Sequence, residues 1–246
     1  MSETPTIPPL NLRTHVVLPL AIAVVLGGAA IALDAPVRTA FTSIQTGGDI
    51  RRELEVLQQF GSVTTLGICA VVIGLLDAPR LRRMLDWILA AVIGSLVLNA
   101  IKVLTGRIRP SFGEPLDFYG PLTVATWKDE SYRAIDFAHE VMAMPSTHTS
   151  HAVIAAVFLS VVYPPLRWLV WPWAAVVGIC RVYFNAHWPS DVIVGACLGF
   201  IIGSVVIRRL WGVRLLDWIW VRFVDRSAKP AWPRYVEASS AVSSSV

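Results

Sequence analysis

The sequence has 246 residues, of which 55% are hydrophobic and 15% are charged, and its mean hydropathy is +0.60. Soluble domains usually carry about 25% charged residues, so this composition predicts an all-α integral membrane protein in one compact bundle. The net charge of +4 comes without a basic stripe with interleaved aromatic residues, which excludes a nucleic-acid partner.

Six apolar segments come close to the length of about 20 residues that a helix needs to cross a bilayer. We expect transmembrane helices at 16–33, 61–76, 87–104, 148–163, 166–183 and 191–210. The first segment is too long for a cleavable signal peptide. The predicted membrane domain is 14–211, after a flexible tail at 1–13.

The polar intervals predict further structure outside the membrane. Residues 106–147 are expected to form a lid of loop and helix between the third and fourth spans, with its helix at 131–142. Interfacial helices are expected at 50–57 and 215–224, the second within a C-terminal segment, 212–246, that ends in a disordered tail. Three glycines repeat every four residues in the sixth span and predict close packing against another helix: Gly195, Gly199 and Gly203.

An even number of spans puts both termini on one side of the membrane. That side carries 12 basic residues against 9 on the other, which favours cytoplasmic termini. We therefore expect a multi-pass protein of the bacterial inner membrane. In this topology the third span ends, the fourth begins, and the fifth and sixth meet at the outer face.

The end of the third span carries a conspicuous cation, Lys102, in its last turn. A cation next to hydrocarbon is a functional candidate, although a lysine can also snorkel to the headgroups. Arg107 and Arg109 follow, and alternate residues of an extended chain cannot both face one pocket. We choose Arg109, because Pro110 stiffens the backbone beside it.

The start of the fourth span reads Pro-Ser-Thr-His. Ser146 is a natural N-cap, and the free N–H groups of the first helical turn bind anions. His148 lies in that turn and is a candidate acid, although a histidine at a helix end often bonds a backbone carbonyl instead.

The junction of the fifth and sixth spans holds Arg181, His187 and Asp191. The arginine is a fixed cationic fork suited to phosphate. His187 and Asp191 are four residues apart and can share a helical face, so that the carboxylate holds the imidazole in one tautomer. Together the three junctions predict an oxyanion site with an acid and a nucleophile.

These residues resemble the three signatures of the type 2 phosphatidic acid phosphatase family, K-x6-R-P, P-S-G-H and S-R-x5-H-x3-D. They stand here at 102–110, 145–148 and 180–191, in the family's order and spacing. Two positions depart from the family. Thr147 replaces glycine, which requires that it be helical or extended, and Cys180 replaces serine before the arginine.

The resemblance implies a six-span lipid phosphate phosphatase. Lys102, Arg109 and Arg181 would clamp the phosphoryl oxygens, helped by Ser146 and the N–H of Thr147. His187, oriented by Asp191, would attack phosphorus, and His148 would protonate the leaving oxygen and then activate water. No cofactor or metal is expected, because these cations neutralise the anion. A metal site of His139, Glu140, His148 and His151 is the disfavoured alternative.

An outer-face site beside apolar helices predicts a phosphorylated lipid as the substrate. Candidates are a phosphatidate, a phosphatidylglycerol phosphate, a polyprenyl diphosphate or a lipid A type molecule in the bilayer. A lipid phosphotransferase would keep the same residues and stays open. A transporter is less favoured, because the charges cluster at one end of the spans. A non-catalytic lipid-binding protein is less favoured because both histidines are kept.

Overall fold

The computed structural model describes residues 9–44, 46–120 and 142–235. Its α-helices of ten or more residues are α1 (Leu18–Thr42), α2 (Gly48–Leu57), α3 (Val63–Leu76), α4 (Met84–Thr105), α5 (Thr147–Val162), α6 (Arg167–Tyr183), α7 (Pro189–Arg208) and α8 (Trp211–Phe223). The described residues contain no strand, and the all-α fold class is confirmed.

Each predicted span coincides with a helix, but the count of six crossing helices is not exact. Within the described ranges, three helical segments are long and apolar enough to cross a membrane, and they contain α1, α4 and α7. A fourth crossing needs α2 and α3 together, which are bent by 69°. α5 has only 16 residues.

α5 is the centre of the bundle, with twelve of its sixteen residues buried. The glycines of α7 lie directly on it. A Cβ on Gly195 would stand 2.5 Å from the carbonyl oxygen of Ser146, and one on Gly199 would meet the carbonyl of Ser150 at least as closely. The predicted packing role of the glycine repeat is therefore confirmed, and it brings the N-terminal ends of α5 and α7 together.

α1 continues to Thr42, nine residues beyond the predicted end of the first span. The predicted span ends at Leu33 because the residues from 34 onwards are mixed in polarity. In the structure Asp34 is fully buried inside the helix. The helix therefore continues past the predicted span, because a buried carboxylate with partners does not terminate a helix.

The start of the predicted lid folds back on itself. Gly106 ends α4 in the left-handed conformation, with φ +55°. The N–H of Tyr119 then donates to the carbonyl of Gly106 at 3.0 Å, and Arg107 and Phe118 form an isolated bridge. Residues 121–141, with most of the predicted helix at 131–142, lie outside the described residues.

α8 begins four residues before the predicted interfacial helix at 215–224. Its first turn is held by Asp86 of α4, whose Oδ1 accepts the N–H groups of Gly212 and Val213 at 2.8 and 3.1 Å. This contact lies at the opposite end of α4 from Lys102. Residues 1–8 and 236–246, which hold most of the predicted tails, are outside the described ranges.

Candidate active site

The first and second motifs meet beyond the end of α4. The ammonium of Lys102 donates to the carbonyl of Met142 at 2.6 Å, and the N–H of Ala143 donates to the carbonyl of Arg107 at 2.9 Å. Lys102 is only 5% exposed. Its charge therefore lies inside the protein rather than among headgroups, beside the residues that lead into Ser146.

The third motif closes onto the other two. The N–H of Ser146 donates to the carbonyl of Asp191 at 3.0 Å. The indole N–H of Trp188 donates to the carbonyl of Ile108 at 2.9 Å. Three segments that are far apart in sequence are thus joined by hydrogen bonds, as the topology predicted.

Arg107 and Arg109 point in different directions. Arg109 Nη1 donates at 3.1 Å to the carbonyl of Ala186, the neighbour of His187. Arg107 is fully buried and donates to Asp191 Oδ1 at 2.6 Å. The two arginines diverge as alternation predicted, and the one chosen from the sequence lies beside the imidazole.

The third cation, Arg181, projects from the last turn of α6. Its Nη1 donates to the side-chain oxygen of Gln58 at 2.8 Å. Its Nε is buried and has no hydrogen-bond partner within the described part of the chain. A charged donor left free in this way can bind an anionic ligand.

His187 lies between α6 and α7 and is 3% exposed. Its Nδ1 is 3.5 Å from Oδ2 of Asp191, and its backbone N–H donates to the carbonyl of Arg181 at 3.1 Å. Burial lowers the pKa of the His187 imidazole well below its ordinary value, and the positive charges of Lys102, Arg109 and Arg181 lower it further. The imidazole is therefore neutral at pH 7, which is the form a nucleophile requires.

Asp191 is held from two sides at the start of α7. Its Oδ2 accepts the N–H of Trp188 at 2.9 Å, which caps the helix, and its Oδ1 accepts from Arg107. Pro189 is the first helical residue, as predicted. The carboxylate thus has a fixed orientation, with Oδ2 on the side of His187.

The N-terminus of α5 forms another wall. Ser146 is its N-cap, accepting from the N–H of Thr149 at 3.5 Å, while the two hydroxyl oxygens lie 2.9 Å apart. Thr147 is the first helical residue, so its predicted conformation is confirmed. His148 follows in the same turn. Like His187, it is close enough to Arg181, Lys102 and Arg109 to interact electrostatically with their positive charges.

His151 packs inside the bundle, with Nε2 3.1 Å from the hydroxyl of Ser95. Among the residues that the structure describes, no three His, Cys, Asp or Glu side chains are grouped to bind a metal. His139 and Glu140, the other members of the alternative metal site, lie outside those residues.

The sequence analysis missed three residues that support the site, Gln58, Asp34 and Arg107. Gln58 gives no sequence signal, because its contact with Arg181 depends on the bend before α3. Asp34 could have been found, since a carboxylate next to a long apolar run is expected to have a partner. Arg107 was set aside because only one arginine was assigned to the pocket.

Comparison with known proteins agrees with this geometry. A sequence profile of the PAP2 superfamily matches residues 84–214, more than half of the chain and all three motifs. The crystal structure of LpxE from Aquifex aeolicus is 18% identical, with 71% of this chain and 94% of that chain covered and a TM-score of 0.54. For a transmembrane PAP2-type phosphatidylglycerolphosphate phosphatase from Bacillus subtilis, the identity is 21%, the coverage 77% and 92%, and the TM-score 0.56. These two structures share the fold, and the profile match shows that the chain belongs to the PAP2 superfamily.

Proposed function

We propose that this membrane protein hydrolyses a phosphomonoester or diphosphate of a lipid, through a phosphohistidine on His187 and without a metal ion. The observation that carries the proposal is one neutral, buried imidazole on which three cations act, the buried Lys102 and the partly buried Arg109 and Arg181. Phosphoryl transfer is catalysed mainly by positioning and by charge stabilisation, and this arrangement supplies both.

The phosphoryl oxygens bind to Lys102, Arg109 and Arg181. Arg181 has a free Nε to donate, and Lys102 can exchange the carbonyl of Met142 for a phosphate oxygen. Ser146 and the first N–H groups of α5, beginning with that of Thr147, add the positive end of a helix. The clamp neutralises the charge that builds on the three equatorial oxygens.

His187 is the nucleophile. Its Nδ1 faces Asp191, so Nδ1 carries the proton and Nε2 has the free electron pair. Nε2 forms a bond to phosphorus while the bond from phosphorus to the lipid oxygen breaks. Asp191 stabilises the positive charge that the ring acquires.

His148 completes the cycle. In its protonated form, which the negative charge of the bound phosphate favours, it donates a proton to the departing lipid oxygen, and it then takes a proton from the water that attacks the phosphohistidine. The products are a dephosphorylated lipid and inorganic phosphate, and both histidines return to their starting state.

The substrate is a lipid whose phosphate reaches the outer ends of α4, α5 and α7 while its tails stay among apolar helix faces. A phosphatidylglycerol phosphate is one candidate, since the Bacillus subtilis relative is named for that lipid. A phosphatidate, a polyprenyl diphosphate and a lipid A type molecule are the others. The cytoplasmic termini and the bacterial inner membrane remain part of this proposal.

The test is phosphate release from each of these lipids by purified protein in detergent, with His187→Ala beside the wild type. We expect turnover of at least one lipid by the wild type and none by the variant. Activity should survive exhaustive chelation and should fall with vanadate, which mimics pentavalent phosphorus. Loss of activity on chelation would contradict the metal-free mechanism.

The same assay distinguishes hydrolysis from transfer to another acceptor. With a 32P-labelled lipid, a hydrolase releases labelled inorganic phosphate, whereas a phosphotransferase moves the label to a second lipid. If no lipid loses its label, the catalytic proposal is wrong.

A further inference from the structure

A second group of buried charges lies beside His187 and includes Asp191. Arg107 Nη1 donates to Asp191 Oδ1 at 2.6 Å, and Nη2 donates to Asp34 Oδ2 at 2.5 Å. Ser190 ties them together: its hydroxyl accepts from Arg107 and donates to Asp34, each at 2.6 Å. All four residues are fully buried. We call Asp34, Arg107, Ser190 and Asp191 the rear cluster.

Arg107 has no freedom to serve the substrate. Its Nε and Nη2 also donate to the carbonyl of Pro115, at 3.2 and 2.8 Å. Its guanidinium lies 4.9 Å from the ring centre of Phe118 and 5.6 Å from that of Trp188. With its donors engaged and aromatic rings packed on it, the guanidinium is fixed, and it fixes Asp191 in turn.

The charge of the rear cluster is as informative as its geometry. Two carboxylates share one guanidinium, so the group carries a formal charge of −1. Had Arg107 paired with Asp191 alone, the pair would be neutral and would offer little to a positive ring. Because Asp34 adds a second carboxylate to the single guanidinium, a net negative charge remains beside His187.

We propose that Asp34 is a positioning residue for the reaction: acting through Arg107, it holds Asp191 towards His187 and keeps the rear cluster negative. The need for this charge arises when Nε2 of His187 bonds to phosphorus, because the ring then becomes positive. The inference rests on the proposed phosphohistidine mechanism. It assigns a catalytic purpose to a carboxylate in α1, a helix that contributes no motif residue.

The experiment compares Asp34→Asn with Asp86→Asn. Asparagine keeps the shape of Asp34 and removes its charge. Asp86 is an equally buried carboxylate, paired with buried Arg83 at 2.8 Å at the other end of α4. We expect Asp34→Asn to slow single-turnover phosphorylation of His187 roughly tenfold or more, the usual scale for a supporting partner. KM should change less than about twofold, because the three clamp cations are untouched. Asp86→Asn should lower thermal stability and leave kcat unchanged.

A phosphorylation rate in Asp34→Asn equal to that of the wild type would overturn the proposal. If Asp34→Asn does not fold, Ser190→Ala replaces it, since it removes the hydroxyl that bridges Asp34 and Arg107, whose direct contact remains, without leaving a charge unpaired. That variant should lose a few-fold in the phosphorylation rate, and no loss would count as failure. If the wild type itself releases no phosphate, the proposed function is wrong. The effect of the charge can still be tested by NMR titration of His187. In Asp34→Asn the imidazole pKa must be lower than in the wild type, because a negative charge has been removed.

Discussion

Nδ1 of His187 lies 3.5 Å from Oδ2 of Asp191. This separation is longer than a normal hydrogen bond, and Oδ2 already accepts the N–H of Trp188 at 2.9 Å. Catalytic hydrogen bonds are often long in the free enzyme and tighten in the reacting complex. We therefore expect the contact to shorten when His187 becomes positive on phosphorylation.

Asp191→Asn should reduce kcat by about 10³ to 10⁴, because an orienting carboxylate without its charge can no longer stabilise the positive ring. The rate of lipid phosphate release measures this directly. Asp217→Asn is the control, since Asp217 is also buried and binds Arg82 at 3.1 Å far from the site. A similar loss of kcat in both variants would mean that the effect is structural.

His148→Ala should depend on the leaving group. Protonation matters less when the departing oxygen is acidic, so phosphorylation of His187 from a nitrophenyl phosphate should be nearly normal while that from an alkyl lipid phosphate is slow. Pre-steady-state measurements of the phosphoenzyme with both substrates give the answer. An equal loss with both would assign His148 to some other task.

The pH dependence follows from the depressed pKa of His187. The folded protein should keep the imidazole neutral well below pH 6.5, whereas the unfolded chain takes up a proton near that pH. Acidification through pH 6.5 therefore favours unfolding, and the stability that neutral His187 contributes is present above that pH and lost below it.

Nitrogen-15 NMR of histidine-labelled protein tests this, with His187→Gln identifying the signal. We expect a titration midpoint well below 6.5 that moves upward in Lys102→Met, because one of the charges opposing protonation is removed. A midpoint at or above 6.5 in the wild type would contradict a buried, neutral nucleophile.

The residues that meet at the candidate site could be predicted from the sequence, for a physical reason. Phosphate chemistry demands particular side chains at fixed spacings, so Lys102, Arg109 and Arg181 could be selected from the motifs. The support of the site arises from distant contacts. Gln58 reaches Arg181 only because the chain bends before α3, and no spacing in the sequence records that bend.

The fold contains features that the hydropathy of the sequence does not predict. Apolar runs located the helices correctly, yet they did not predict that α1 continues to Thr42 or that α5 has only 16 residues. Both features concern burial: Asp34 is tolerated inside α1 because Arg107 and Ser190 bind it, and α5 can be short because protein surrounds it. Hydropathy measures composition, and it cannot say what covers a side chain.

The orientation of the site can be tested by labelling Leu116→Cys from outside intact cells. Leu116 is 75% exposed in the segment that follows α4, and Trp218 on α8 is 60% exposed at the other end of the bundle. In a background without native cysteines, which includes Cys180→Ser, an impermeant maleimide should label position 116 but not Trp218→Cys. The reverse pattern would put the active site in the cytoplasm.

Gly199→Ala should destabilise the protein and weaken catalysis together. The new methyl group would collide with the backbone of Ser150, and overpacking of this kind costs about 1–3 kcal/mol. Relief of the clash moves α7 away from α5, which separates Asp191 from Ser146 at the site. Gly67→Ala is the matched control, because a methyl there has no neighbour within 4 Å and lies within α3. The temperature of thermal unfolding and kcat should both fall in Gly199→Ala and stay unchanged in Gly67→Ala. If Gly199→Ala were as stable and active as Gly67→Ala, the glycine repeat would not be what holds the two helix ends together.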